Sequence, residues 1–298
     1  MPKPAKPVKP ASELVTTPET KADIYADPLV YDILHAEDTA RDARVIEKLT
    51  RQYVPNSGLG AMRLLEPASG TGRYQIALAR RGHHTTGIDL DSGMLAFARQ
   101  RAQEHEVSHL VAHITADMRT FAPPKPRCNA AFNLINSIRH LLSDAAMAKH
   151  MAAVGKALVP GGVYIVGIEL IDRVTTEATE DIWMGHRGSL AVHQLINYLP
   201  PDMHGGPKRR EQVVSSVTVR NTRTDASRQI DSAYWLRTYT PAEWTSLVYR
   251  CGWEVIGQHT SSGAPMPLRP YGYRLCILRQ RAGDVHQKTP AARGNRGG

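Results

Sequence analysis

Cysteine is scarce in this 298-residue chain: Cys128, Cys251 and Cys276 are its only three, and they lie far apart. They are too few and too dispersed for a disulfide framework or a cysteine-based zinc site, and read as reduced core thiols of a cytoplasmic protein. Long apolar runs are missing too. None approaches 18 residues, so no membrane helix is expected, and the Lys- and Pro-rich start lacks the continuous apolar stretch of a signal peptide. The thirteen histidines show no metal-site spacing, so no metal is expected. The formal charge of +9 is no concentrated basic field either. Residues 1–22 carry +2 and the stretch from Arg281 onward +3, leaving an ordinary +4 for the rest. The local run Lys208-Arg209-Arg210 reads as a solvated loop, with contact to RNA or an anionic substrate as the alternative.

The polar, Pro- or Gly-rich ends, 1–22 and 283–298, read as disordered tails around one domain over 23–282. Within it, Met62–Leu65 is an apolar strand. Ser69-Gly70-Thr71-Gly72 is a tight turn, and Tyr74–Arg80 has helical spacing closed by Gly82. A dinucleotide fingerprint would need a third glycine where Gln75 stands, so the ordinary NAD reading weakens. An acidic residue, Glu66, instead ends the strand four residues before Gly70. His84–Ile88 then forms a second strand ending in Asp89, 17 residues after Gly72, the distance at which a βαβ unit returns a carboxylate to ribose hydroxyls. Asp91 is a plausible N-cap for the next helix.

Glu66-Pro67-Ala68-Ser69-Gly70-Thr71-Gly72 resembles motif I of the class I S-adenosylmethionine (SAM) dependent methyltransferases, Asp/Glu-x-Gly-x-Gly-x-Gly, with Ala68 at the first glycine. Gly87-Ile88-Asp89 followed by Met94-Leu95 resembles motif II, and Ile114–Met118 the segment that meets adenine. Asn129–Asn136 resembles the strand whose end lies near the transferring methyl, and Leu158–Gly162 precedes a strand over Val163–Ile168. The resemblance spans about residues 60–170. It implies a doubly wound α/β fold with a mostly parallel sheet and a final antiparallel strand, and SAM as cofactor. Its implied cofactor contacts are Glu66, Ala68, Ser69, Gly70, Gly72, Asp89, Leu90, Asp117, Met118 and Asn133, with Asp89 on the ribose and Asp117 on the adenine amino group. If the backbone at Ala68 has ordinary angles, its methyl group is accommodated.

The second half is strand-rich, at about 192–199, 212–219, 230–239, 253–259 and 271–278, with a capped helix starting at Thr240-Pro241. The expected division is an N-terminal helical lid over 23–58, a SAM-binding core over 60–170 and an antiparallel insert on the substrate side over 190–239. Tyr25, Tyr31, His35 and Asn136 are candidate acceptor contacts, and His140 and Glu169 candidate bases. The expected reaction is methyl transfer to N or O of a small molecule. Two alternatives remain: an RNA or protein methyltransferase, and a SAM-binding module without turnover. No Asn/Asp-Pro-Pro-Tyr-type signature occurs at Asn133–Asn136, which disfavours a base-flipping enzyme. Oligomeric state is not readable from the sequence.

Overall fold

The computed structural model describes residues 23–55, 58–172, 177–200, 209–266 and 270–282. Both expected tails, and Lys208, fall outside them. None of the described helices is long and apolar enough to cross a membrane.

Two helices, α1 (Pro28–Leu34) and α2 (Thr39–Tyr53), precede a seven-stranded sheet. Its strands are β1 (Arg63–Pro67), β2 (His84–Asp89), β3 (Val111–Thr115), β4 (Cys128–Asn133), β5 (Leu158–Leu170), β10 (Trp253–His259) and β11 (Gly272–Gln280). They lie in the order β10-β11-β5-β4-β1-β2-β3. Strand β11 runs antiparallel to both neighbours, whereas the pairings among β1 to β5 are parallel, as the resemblance implies. Helices α3 (Arg73–Ala79), α4 (Ser92–Glu104), α5 (Asp144–Ala157) and α6 (Pro241–Arg250) cover it.

Helix starts follow local chemistry. The side chains of Asp91 and Ser143 accept from the backbone N–H of Met94 and Ala146. Thr240 and Glu243 form a reciprocal capping box with Pro241 in the first turn. The sheet is apolar on both faces, as a parallel sheet under helices must be. Leu65, Ala131, Tyr164 and Val166 pack on one side, and Leu64, Ala130, Phe132 and Ile165 on the other.

The second sheet is antiparallel, β6 (Thr179–Arg187), β7 (Leu190–Leu199), β8 (Arg210–Asn221) and β9 (Ser227–Arg237), in sequential order. The insert therefore begins at Thr179 rather than 190. Strand β6 escapes a sequence reading because its ends are charged and most of its residues are exposed, so it lacks an apolar alternation. One face of this sheet buries Val192, Val217, Val219 and Ile230 against Val30, Ile33 and Leu34 of α1. Arg139 and Glu211, 2.5 Å apart and buried, tie the insert to the segment after β4.

Candidate active site

All the strong sequence signals converge at the carboxyl ends of the parallel strands, where ligands of open α/β sheets bind. Glu66 lies one residue before the end of β1, Asp89 closes β2, Asn133 closes β4 and Glu169 lies near the end of β5. After β1 the chain turns with φ of +55° at Ala68, +52° at Gly70 and +69° at Gly72. Ala68 is thus left-handed, contrary to the ordinary angles expected, and its Cβ bears a cost of roughly 1–2 kcal/mol that glycine avoids. The turn is fastened to β2. Ser69 N–H donates to the Ile88 carbonyl at 3.0 Å, and Gly70 N–H donates to Asp89 Oδ2 at 2.7 Å. The other Asp89 oxygen accepts from Asp91 N–H at 2.9 Å. Where a third glycine would stand, the fully buried Gln75 fills the space over Gly87.

The resulting cradle has a polar lining with unmet hydrogen bonds. Glu66 Oε2, Ser69 Oγ, Thr71 Oγ1 and Asn133 Oδ1 are buried without a partner, although Asn133 Nδ2 donates to the Pro67 carbonyl at 2.8 Å. Burial raises the Glu66 carboxyl well above the usual range, against the pull of Arg73. A desolvated carboxylate beside unmatched hydroxyl and amide oxygens fits a ligand bringing an ammonium and further donors, as the α-amino group of SAM would.

Asp117 follows β3, where Ala116 N–H donates to the Asp89 carbonyl at 2.9 Å. Its carboxylate is held by the Arg119 guanidinium, Nε to Oδ1 at 2.9 Å, which keeps it below the usual carboxylate range. The Met118 carbonyl accepts from buried His150 Nδ1 at 2.8 Å, and Tyr164 lies 2.8 Å from the other ring nitrogen. Leu90 is exposed.

Beside the cradle lies a cavity of about 630 Å³ between the N-terminal helices, the ends of β4 and β5, and the insert. Tyr25, Tyr31, His35, Asn136, His140 and Glu169 all line it, so all four candidate acceptor contacts and both candidate bases meet there. Tyr31, Arg73, Tyr74 and Ser137 belong to the walls of both spaces. Rings run from the N-terminal helices to the second sheet: Tyr31 stacks on His35 at 4.1 Å between centroids, and His35 lies 5.0 Å from Trp183. Deeper, His140 stacks on Tyr234 at 5.4 Å, with the Tyr25 hydroxyl 3.4 Å from its Nε2. Burial lowers His140 to about 4 and raises Glu169. Asn136 Oδ1 accepts from Glu169 N–H at 2.7 Å, which locks the two strand ends together.

Several lining residues escape a sequence reading. Arg73 is buried against the Tyr74 ring, 3.7 Å from its centroid, and donates to Thr39 Oγ1 at 2.9 Å. Its position directly after the glycine turn was the available signal. Trp183, Tyr234 and Gln194 come from the insert, where strand alternation shows which residues share a face but not what that face meets.

A family model described as a methyltransferase domain matches residues 64–162. The dTDP-3-amino-3,6-dideoxy-alpha-D-glucopyranose N,N-dimethyltransferase of Streptomyces fradiae is 30% identical over 140 residues, covering 46% of this chain and 51% of that protein. The chain thus spans about half the length of that relative. Among solved structures, Streptomyces venezuelae DesVI is similar at a TM-score of 0.65 and 20% identity, covering 87% of this chain and 99% of that one. The sugar N-methyltransferase KedS8 from Streptoalloteichus is similar at 0.61 and 18%, covering 94% and 99%. With that family model lying over the glycine turn and the strand ends that surround it, residues 64–162 match a methyltransferase domain, and the sheet order is that of the class I SAM-dependent methyltransferases, with SAM the cofactor such a domain uses.

Proposed function

We propose that this enzyme transfers a methyl group to N or O of a small-molecule acceptor held in the 630 Å³ cavity. The observation that carries the reading is the shared wall: a cradle fit for an amino acid headgroup adjoins an aromatic and acidic chamber enclosed by lid and insert. Such a chamber suits a compact ligand buried on most sides. The relative named for an amino-sugar nucleotide makes an amine acceptor the first class to try.

In this reading Glu66 receives the ammonium of SAM and Arg73 its carboxylate. Asp89 holds the ribose, while Asp117 and the Met118 N–H meet adenine. Ala68, Ser69, Gly70, Gly72, Leu90 and Asn133 shape the remaining contact. SAM supplies a methyl group already activated on a sulfonium, so the protein's work is alignment and exclusion of water. Tyr25, Tyr31 and His35 close the chamber from the lid, and Asn136 orients the acceptor beside β4. His140, neutral through burial, and Glu169 are the groups available to take the proton an amine or hydroxyl releases.

The macromolecular alternative loses support because part of the basic run is engaged within the fold: Arg209 lies 4.0 Å from Asp144 and 3.5 Å from Glu243. Methyl-labelled SAM incubated with the enzyme and separate pools of small metabolites, total RNA and total protein tests the proposal. Label in the small-molecule pool supports it. Label confined to RNA or protein overturns it, and SAM binding with no transfer to any pool favours a module without turnover.

A further inference from the structure

The walls of the acceptor cavity are unequally charged. Among the described residues they carry five carboxylates, Glu37, Asp38, Asp42, Glu169 and Asp181, against two guanidiniums, Arg41 and Arg73. Arg41 is engaged at the start of α2, 2.8 Å from Asp38 and 3.0 Å from Asp42. Arg73 donates to the hydroxyls of Thr39 and Tyr74. Burial lowers His35 and His140 to about 4, so these cavity histidines are neutral at pH 7 and offset none of the excess. Burial also raises Glu169, and Arg139, which pulls the other way, is bonded to Glu211 and to the Arg237 carbonyl. Among the described residues, no cation lies within ion-pair distance of the Glu169 or Asp181 carboxylate. A cavity with this surplus favours a cationic ligand.

The two unpaired carboxylates belong to different elements. Glu169 is fixed beside Asn136 at the ends of β5 and β4, whereas Asp181 stands on the insert. Asp181 and Trp183 share one face of β6. They pair across to Ile196 and Gln194 of β7, so Gln194 is the diagonal neighbour of Asp181, and Tyr198 is the diagonal neighbour on the other side. Gln194 is 4% exposed, its Nε2 donates to Ser215 Oγ, and its Oε1 has no partner. This corner of the cavity wall thus offers a carboxylate, an unmatched amide oxygen and two aromatic rings, a set that suits an ammonium group.

Building on the small-molecule reading above, we propose that the acceptor carries two amino groups. One reacts beside Glu169 and His140; the other, protonated, is anchored by Asp181 and Gln194 Oε1 beside the rings of Trp183 and Tyr198. An ammonium has no lone pair to give, so the group held at Asp181 is not the group methylated. At the reacting centre the lone pair of a neutral amine forms the N–C bond. The C–S bond breaks with its electrons left on sulfur, and the proton the nitrogen gives up passes to Glu169 or His140. The anchored charge fixes the distance of the reacting nitrogen from the methyl group, which is the alignment the transfer needs.

Methyl-labelled SAM and a dilution series of the small-metabolite pool test the proposal. The labelled product of the wild type elutes from a cation exchanger at pH 7 with cadaverine or later, and after ethanolamine. Asp181→Asn, folded by circular dichroism and binding SAM like the wild type, needs roughly tenfold more pool for half-maximal labelling, with the plateau rate retained. Gln194→Leu shifts the half-maximum in the same direction, and Asp181→Glu stays near the wild type. A small-molecule product that is unretained or elutes with ethanolamine overturns the inference and leaves the small-molecule reading standing. So does an unchanged half-maximum in Asp181→Asn or, should that variant fail to fold, in Gln194→Leu. Label only in RNA or protein, or in no pool, overturns that reading itself and this inference with it.

Discussion

At the residue scale, the cradle combines strain, burial and unmet polarity in a few side chains. Ala68 occupies a conformation that glycine adopts freely, so Ala68→Gly relieves a cost of about 1 kcal/mol after the greater freedom of an unfolded glycine is set against it. Thermal unfolding should show Tm raised by about 2–4 °C, with SAM affinity retained; a lowered Tm would show that the alanine methyl packs usefully. Besides the ribose contact proposed for it, Asp89 accepts from the backbone N–H groups of Gly70 and Asp91. Asp89→Ala removes charge-assisted hydrogen bonds worth about 1.5–3 kcal/mol each. Its affinity for SAM therefore falls beyond 100-fold, by an estimate of roughly two such bonds, and its Tm falls as well. Calorimetry and melting on the same preparation check this, and affinity lost at an unchanged Tm would assign Asp89 to the ribose alone. Gln194 is buried with Nε2 on Ser215 Oγ at 2.8 Å and no partner for Oε1. Gln194→Leu is expected to raise the acceptor KM while SAM affinity holds, and an unchanged KM would remove Gln194 from acceptor recognition.

At the element scale, the alternation of β9 separates neighbours with different work. Tyr234 faces the cavity and stacks on His140, whereas Trp235, the next residue, lies outside the cavity wall. Tyr234→Ala is expected to reduce acceptor turnover by at least about tenfold, the loss of one aromatic contact of roughly 1.5 kcal/mol, while Trp235→Ala leaves turnover nearly intact. Equal losses would mean that the insert acts through stability. From sequence alone, Tyr198 and Trp235 are equally plausible pocket residues, because strand periodicity cannot say which face meets another element. The parallel core was legible for a physical reason: its turn glycines, strand-end carboxylates and helix caps are local signals at fixed spacing. Strand β6 was not, because its residues are fixed by pairing and by α1 rather than by their own pattern. Arg73 and His150 were equally hidden, as their partners are distant in sequence. Helix α1 is held by a similar long-range contact. Buried Asp32 of α1 joins Arg101 of α4, at 2.5 Å, to Arg187 of β6.

Across the whole molecule, burial holds His35, His140 and His150 at about 4, against an ordinary value of 6.5. These histidines protonate in the unfolded chain before they do so in the fold. Stability is therefore full above about pH 6.5 and declines as pH falls toward 4, with a slope approaching 1.4 kcal/mol per pH unit for each proton. The raised Glu66 carboxyl acts in the opposite sense, since it takes up a proton in the fold first. The net expectation is a urea midpoint that drops from pH 7 to pH 5, and a flat or rising midpoint would contradict it. The division of labour between cradle and chamber is the central claim, and calorimetric titration with S-adenosylhomocysteine tests it most directly on the wild type, Glu66→Gln and Tyr234→Ala. The wild type should bind with Kd near the micromolar level, about −8 kcal/mol. Glu66→Gln should weaken binding roughly 10- to 100-fold, and Tyr234→Ala should leave it within about threefold, a change below 1 kcal/mol. Unchanged binding in a folded Glu66→Gln variant, or an equal loss in both variants, would contradict the account.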